Sequence, residues 1–262
     1  MLSLQGGAAV SVLLVVFSSF WFVFARYRKP RMPTWFSTLF GFHETSYYVV
    51  KKNLRVEDDG FLCSKVNGRR FAAGLFSTPS LGELREQVAA MDCKREGRVL
   101  TITHFPVFDI YSTHQDPEYA GALFQVASQF NCLEFASANV TPEQGVTGYV
   151  SDLTQGPACS LACPIGTVYR NYFAKTPQGN VGQTKKDQIN NLEDLENFVD
   201  NNSQHYWTTK NGYTDSTPKQ LTSFNDKYRG MDENIRDEIL TKLRVGVHSD
   251  VEVIRTLEDQ TL

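Results

Sequence analysis

The chain has 262 residues, of which 41% are hydrophobic and 21% are charged, and its formal net charge is −3. These values are typical of a folded globular protein and exclude an intrinsically disordered chain, which has fewer apolar residues and a larger net charge. A slightly acidic chain also lacks the excess of positive charge that binds phosphate backbones, so we expect no nucleic-acid partner.

The amino terminus is apolar and uncharged. Residues 8–25 are continuously apolar, and a cluster of basic residues follows at 26–31. This pattern predicts a tail at 1–7, a transmembrane anchor at 8–25 and a basic juxtamembrane linker at 26–33. By the positive-inside tendency, the domain that follows this single-pass anchor is expected in the cytoplasm. The alternative is a signal peptide cleaved after Ala25, which would place the domain in the lumen of the secretory pathway.

The remainder of the chain, residues 34–262, is predicted to form a single domain. The apolar patterns predict a strand at 47–50, a hairpin turn at 68–71, a helix at 80–91, strands at 99–103 and 122–128, a helix start at 157–163, helices at 191–199, 217–228 and 232–243, and a strand at 245–254. Ser80 and Glu83 have the spacing of a helix capping box. Strands interspersed with helices favour an α/β domain with a mixed sheet flanked by helices.

The cysteines do not form a recognisable framework. They are odd in number and scattered, at positions 63, 93, 132, 159 and 163. This pattern argues against a set of disulfides, and the spacing of Cys159 and Cys163 suits one face of a helix better than a zinc knuckle. The sequence therefore predicts structural thiols in a reducing compartment, with no metal site and no cofactor.

The segment 124–173 carries the strongest indication of a binding site. It interleaves glycine turns with polar and aromatic side chains, and glycine lets the backbone approach a ligand closely. The backbone amides of such turns bind anions. Accordingly, Gly145→Val is expected to abolish ligand binding and to leave the fold intact. The residues expected to bind the ligand are Gln125, Asn131, Gly145, Val146, Gly148, Tyr149, Gln155, Gly156, Pro157 and Asn171.

Two acidic residues of this segment are candidates for catalysis. Glu134 lies between Leu133 and Phe135, so burial would raise its pKa and suit it to general acid–base chemistry. Asp152 is an acceptor suited to ribose hydroxyls or to an attacking water. Taken singly, each acid is also explained as a helix cap or a solvated loop residue.

Two motifs in the segment resemble macrodomains, nearest the poly(ADP-ribose) glycohydrolase-like branch. The sequence FQVASQFN, ending at Asn131, is similar to that family's strand whose final asparagine contacts the distal ribose. Gly145 to Gly148, followed by Gly156-Pro157, is similar to its phosphate loop and helix start. The resemblance implies a three-layer α/β/α fold, an ADP-ribose-type nucleotide as ligand, and hydrolysis of ADP-ribose linkages. A late glycine-rich loop of the family is missing, so we expect a domain shortened at its carboxyl end.

Two other functions stay open. One is a membrane-tethered binding or adaptor module that binds the nucleotide and leaves its linkages intact. The other is a cysteine hydrolase, because the sequence from Gln155 to Cys159 resembles the start of papain-like enzymes, where the dipole of a helix favours the thiolate.

Overall fold

The computed structural model describes residues 34–58, 60–91, 116–119, 124–125, 129–149, 164–247 and 251–252. Contacts divide the chain after Thr34, and the description below concerns the unit from Trp35 to Leu262. The predicted strand at 99–103 and the predicted helix start at 157–163 lie outside the described residues.

Short helices and strands alternate along this unit. In chain order they are α1 (Trp35–Phe40), α2 (Tyr47–Asn53), β1 (Leu54–Val56), β2 (Phe61–Ser64), β3 (Arg70–Ala72), α3 (Leu81–Ala90), β4 (Phe124–Gln125), α4 (Pro164–Tyr172), α5 (Glu193–Phe198), α6 (Asn201–Gln204), β5 (Thr208–Lys210), β6 (Tyr213–Asp215), α7 (Pro218–Arg229), α8 (Glu233–Val247) and β7 (Val251–Glu252). Single 3-10 turns occur at Pro117–Tyr119, Pro142–Gln144 and Thr147–Tyr149.

The described strands pair only in small antiparallel sheets. β1, β2 and β3 form a meander, β5 and β6 form a hairpin, and β4 pairs with β7. Helices alternating with small antiparallel sheets are compatible with the α/β class, but the described strands form no mixed sheet, so the expected three-layer mixed sheet is wrong. The physical reason lies in the connections: tight turns such as Asn211-Gly212 join antiparallel neighbours, whereas parallel strands need a crossover of about a dozen residues.

The expected membrane anchor also needs correction. Residues 1–7, 8–25 and 26–33 lie outside the described part of the chain. Among the described residues, no helix is both long and apolar enough to cross a membrane. The helix α8 has 15 residues and carries charges along its length, whereas a span needs about 20 apolar residues. This finding contradicts the expected single-pass architecture with a cytoplasmic domain.

Local capping signals predict helix starts correctly. The Ser80 hydroxyl accepts from the Glu83 amide at 3.2 Å, and the Glu83 carboxylate accepts from the Ser80 amide at 2.7 Å, which confirms the capping box of α3. The predicted strand at 47–50 is wrong, because this stretch forms α2. The Ser46 hydroxyl caps that helix and Val50 is buried, so capping and packing override the strand preference of the aromatic and β-branched residues.

The apolar side chains gather in two main cores. The larger core is formed mainly by α1, α2, the meander, the chain around residue 133, and α4: Phe36, Leu39, Phe40, Val50, Leu54, Leu62, Leu133, Phe135, Val146, Val168 and Tyr172. The second core joins α5 and α8 to the segment before β5: Leu192, Leu195, Val199, Tyr206 and Ile239. Phe130 packs against the second core and Leu133 belongs to the first, so the chain passes from one core to the other within residues 130–133.

Buried amide side chains hold the chain at this passage. Asn131 is fully buried, and its side chain accepts from the Leu133 amide at 3.1 Å and donates to Gln188 at 3.0 Å. The Gln183 side chain donates to the Asn131 carbonyl at 2.9 Å, and Gln188 donates to Asn211 at 2.7 Å. Because buried polar groups are costly unless they are paired, this network fixes one arrangement of the two cores.

Gly212→Ala is expected to destabilise the protein strongly, because a Cβ at this position would overlap the Asn131 side-chain amide. Gly179→Ala is the matched control, since Gly179 has a similar φ of +84° and no atom within 4 Å of the added Cβ. The left-handed backbone alone costs alanine about 1–2 kcal/mol. Disturbing the buried amide adds about 1–3 kcal/mol at Gly212. Urea unfolding measures both variants, and equal losses of stability would contradict the role given to Asn131.

Candidate functional site

The turn at Gly145 holds a carboxylate that belongs to the chain itself. The Glu44 side chain accepts hydrogen bonds from the Val146 amide, at 3.0 and 2.9 Å to its two oxygens, and from the Thr147 amide at 2.8 Å. The Tyr172 hydroxyl donates to the same carboxylate at 2.6 Å. The turn therefore binds an anion, and in this structure the anion is Glu44.

Gly145 is required for this approach. Its φ is +89°, and an added Cβ would lie 2.5 Å from the carboxyl carbon of Glu44. Glycine is thus needed here both for its backbone conformation and for the space that the carboxylate occupies. Gly148, in the same segment, has no atom within 4 Å of an added Cβ and does not adopt a positive φ.

Two tyrosines remain protonated here: Tyr172, which binds this carboxylate, and Tyr47, which packs on Tyr172. Burial, reinforced by the charge of Glu44, raises the pKa of Tyr172 far above its usual value. Burial and, to a lesser degree, the charge of Glu143 raise the pKa of Tyr47 to about 12. The two rings pack with their centroids 4.9 Å apart. Both hydroxyls therefore keep their protons at neutral pH, and Tyr172 donates its proton to Glu44, whereas the buried Tyr47 hydroxyl has no hydrogen-bond partner among the described residues.

The asparagines expected to contact the ligand are both fully buried. Asn131 belongs to the amide network between the cores. The Asn171 side chain donates to the Pro142 carbonyl at 3.0 Å, so it lies against the turn that leads to Gly145. The structure thus brings Asn171 close to the turn at Gly145. The side-chain amide of Asn171 and the backbone amides that follow Gly145 both bind other parts of the chain.

Glu134 also has a structural partner. Its carboxylate accepts from the Gln129 amide at 2.8 Å, while the Gln129 side chain brackets the backbone of Phe135. Burial, and then the charge of Glu134, raise the pKa of Tyr213, whose hydroxyl donates to the Phe135 carbonyl. Through these hydrogen bonds, Glu134 helps to hold the turn between Gln129 and Phe135. Its role in acid–base catalysis stays a prediction.

Several predicted site residues cannot be placed. Asp152, Gln155, Gly156, Pro157 and Cys159 lie outside the described residues. Gln125 and Tyr149 are described only by their backbone, in β4 and in a 3-10 turn respectively. The second phosphate turn, the second candidate acid and the cysteine nucleophile therefore stay predictions.

A polar cleft lies elsewhere in the unit, where α3, α5 and α8 meet the chain that follows α4. Its volume is about 480 Å³, within the range of about 300–1,000 Å³ that ligand pockets have. The cleft is lined by Thr78, Pro79, Ser80, Glu83, Lys175, Thr176, Pro177, Ile189, Asn190, Asn191, Glu193, Asp194, Asn197, Lys242 and Val245. Hydroxyl, amide and charged groups predominate, as in a site for a hydrogen-bonding ligand.

The polar groups of the cleft fall into two sets. One set is already paired: Lys242 donates to Asp194 at 2.7 Å, and Asn190 donates to Glu196 at 2.6 Å. The other set is available to a ligand, because its side chains make no hydrogen bond or ion pair with another residue that the structure describes. These side chains are Thr78, Lys175, Glu193 and Asn197. They supply one cation, one anion, a hydroxyl and an amide.

The sequence marks neither Glu44 nor the cleft as part of a site. Glu44 is separated from Val146 by 102 positions, and the cleft combines residues from Thr78 to Val245. No local motif marks either of them. Comparisons of the chain with protein-family models, with curated proteins and with solved structures found no match. The resemblance to macrodomains therefore stays a prediction.

Gly145→Ala is expected to lower the free energy of unfolding by at least about 2 kcal/mol, because it combines strain at a positive φ that alanine rarely adopts with displacement of a charged hydrogen-bond acceptor. Gly148→Ala, the matched control in the same segment, is expected to stay within about 0.5 kcal/mol of the wild type. Chemical unfolding of the full-length chain measures both. A Gly145→Ala protein of unchanged stability would instead favour the ligand-binding turn that the sequence predicts.

Proposed function

We propose that this chain binds a small, hydroxyl-rich anion in the cleft between α3, α5 and α8, with an ADP-ribose-type nucleotide as the first candidate. The observation that carries the proposal is the set of unpaired polar side chains on the wall of a cleft of about 480 Å³. A nucleotide needs a cation for its phosphates and both acceptors and donors for its hydroxyls, and Lys175, Glu193 and Asn197 offer these.

The cleft supports the proposal better than the Gly145 turn does. An anionic ligand at the turn would have to displace Glu44 from two backbone amides and the Tyr172 hydroxyl. Hydrogen bonds to a charged group contribute about 1.5–3 kcal/mol each, so displacement would cost a ligand most of its affinity. Lys175 is exposed and has no acidic partner among the described residues, so a phosphate can bind it without that cost.

The proposal concerns binding rather than hydrolysis. Of the two acids predicted for catalysis, the structure describes Glu134, and its carboxylate accepts from the Gln129 amide. This carboxylate therefore already has a structural role. A binding protein leaves ADP-ribose attached to its carrier, whereas a hydrolase releases it. Incubating the full-length chain with an ADP-ribosylated protein separates these cases, because free ADP-ribose among the products would favour the enzyme.

Lys175→Ala is expected to weaken ADP-ribose binding about tenfold or more, since a charge-assisted hydrogen bond contributes about 1.5–3 kcal/mol and about 1.4 kcal/mol corresponds to a factor of ten. Titration calorimetry of the full-length chain with ADP-ribose and with ribose 5-phosphate measures the change. Lys185→Ala is the matched control, because Lys185 is equally exposed and lies outside the cleft. Equal losses in both variants, or no binding by the wild type, would contradict the proposal.

A further inference from the structure

The helix α3 forms one wall of the cleft and packs weakly against the rest of the unit. Leu81, at its first turn, is its buried residue, whereas Val88 is 63% exposed. The preceding residues 73–80 have no regular secondary structure, and Gly74 has a φ of +75°. A helix with so little buried apolar surface depends on other contacts to stay in place.

A chain of charged groups supplies those contacts, and we call it the α3 clasp. Arg85 donates to both oxygens of Glu238, at 3.0 and 2.8 Å. The Asp194 carboxylate accepts from the Leu81 amide at 3.2 Å and from Lys242 at 2.7 Å. The clasp therefore fastens α3 to α8 through one ion pair and to α5 through the amide at its own amino-terminal turn.

The two attachments differ in strength. The Lys242 side chain is 10% exposed, so its pair with Asp194 is shielded from water. Lys242 also lies 3.7 Å from Glu238, which links the two attachments electrostatically. Arg85 is 58% exposed, and such surface ion pairs contribute little on their own. The Lys242 pair fixes Asp194 where it accepts from the Leu81 amide, so we expect Asp194 to contribute more to the position of α3 than the exposed Arg85 does.

The clasp lies where it can control the cleft. Asp194 and Lys242 belong to the cleft wall, as do Ser80 and Glu83 at the start of α3. A second cavity, of about 360 Å³, is lined by Thr78, Pro79 and Glu83, which also line the cleft, and it extends along α3 to Glu86. With space along the start of α3, the helix can move without first disrupting either main core.

We propose that α3 is a displaceable wall of the ligand cleft, that the α3 clasp holds it closed, and that a ligand in the cleft and the closed clasp stabilise each other. The coupling to a ligand rests on the proposed function, whereas the displaceable wall does not. A ligand that contacts Thr78 or Ser80 binds the closed form better, and such a difference in affinity is what shifts a conformational equilibrium.

Hydrogen exchange of the full-length chain tests the wall without any ligand. Asp194→Ala is expected to speed exchange of the α3 amides about tenfold, and Arg85→Ala about threefold, with α7 as an unchanged internal reference. Glu86→Ala is the matched control, because it removes an exposed charge from the same helix outside the clasp. Unchanged α3 exchange in both clasp variants, or equal acceleration of α3 and α7, would overturn the displaceable wall.

A second arm of the same experiment adds ADP-ribose. Slower exchange of the α3 amides in the wild type, with a smaller effect in Asp194→Ala, is the result expected from coupling. If ADP-ribose binds calorimetrically and α3 exchange does not change, the coupling is wrong and the proposed function stands. If ADP-ribose does not bind and the clasp variants behave as expected, the proposed function and the coupling are overturned and the displaceable wall stands.

Discussion

The contact between Glu44 and the turn at Gly145 organises the larger core. Glu44 lies between α1 and α2, the turn comes about a hundred residues later, and Tyr172 closes α4. One carboxylate therefore links three distant segments through three hydrogen-bond donors, the Val146 and Thr147 amides and the Tyr172 hydroxyl. A partly buried carboxylate is stable only when donors surround it, so these segments must come together as a set.

Hydrogen-bonded polar side chains that join distant segments suit a fold built from short helices and strands. The described strands have two to four residues, too few to form an extensive sheet with its own core. The chain instead relies on Glu44 within the larger core and on the Asn131 network where the two cores meet. These two sets of contacts involve amides, carboxylates and glycines, which also occur in ligand sites. A segment rich in them can therefore resemble a binding site and serve to hold the fold.

The sequence predicts the features whose partners are close along the chain. The capping boxes of α3 and α7 are satisfied within three residues, and Ser80 with Glu83 identifies the start of α3 from the sequence. The strand predicted at 47–50 fails, because the preferences of isolated residues are weaker than a serine cap and the burial of Val50. The sheet prediction fails for a similar reason: strand order depends on pairings between segments that no local pattern records.

In the candidate site, too, the sequence predicts the local features and leaves out the contacts between distant segments. The sequence identifies Gly145 as a place where a backbone receives an anion, since a glycine turn has this property locally. It cannot identify Glu44 as the anion, nor show that Thr78 and Lys175 border one cleft with Asn197. Those facts depend on how distant helices pack. The available groups of the cleft are individually ordinary surface residues, and only their shared position makes the cleft a candidate site.

A double-mutant cycle between Glu44→Ala and Gly145→Ala tests the central claim most directly, because it isolates the interaction between the carboxylate and the turn. With Glu44 removed, the Gly145→Ala substitution should cost only the backbone strain of its positive φ, about 1–3 kcal/mol. We therefore predict that its cost falls by at least about 1 kcal/mol relative to the same substitution in the wild type. An equal cost in both backgrounds would contradict a structure held together by its own internal anion.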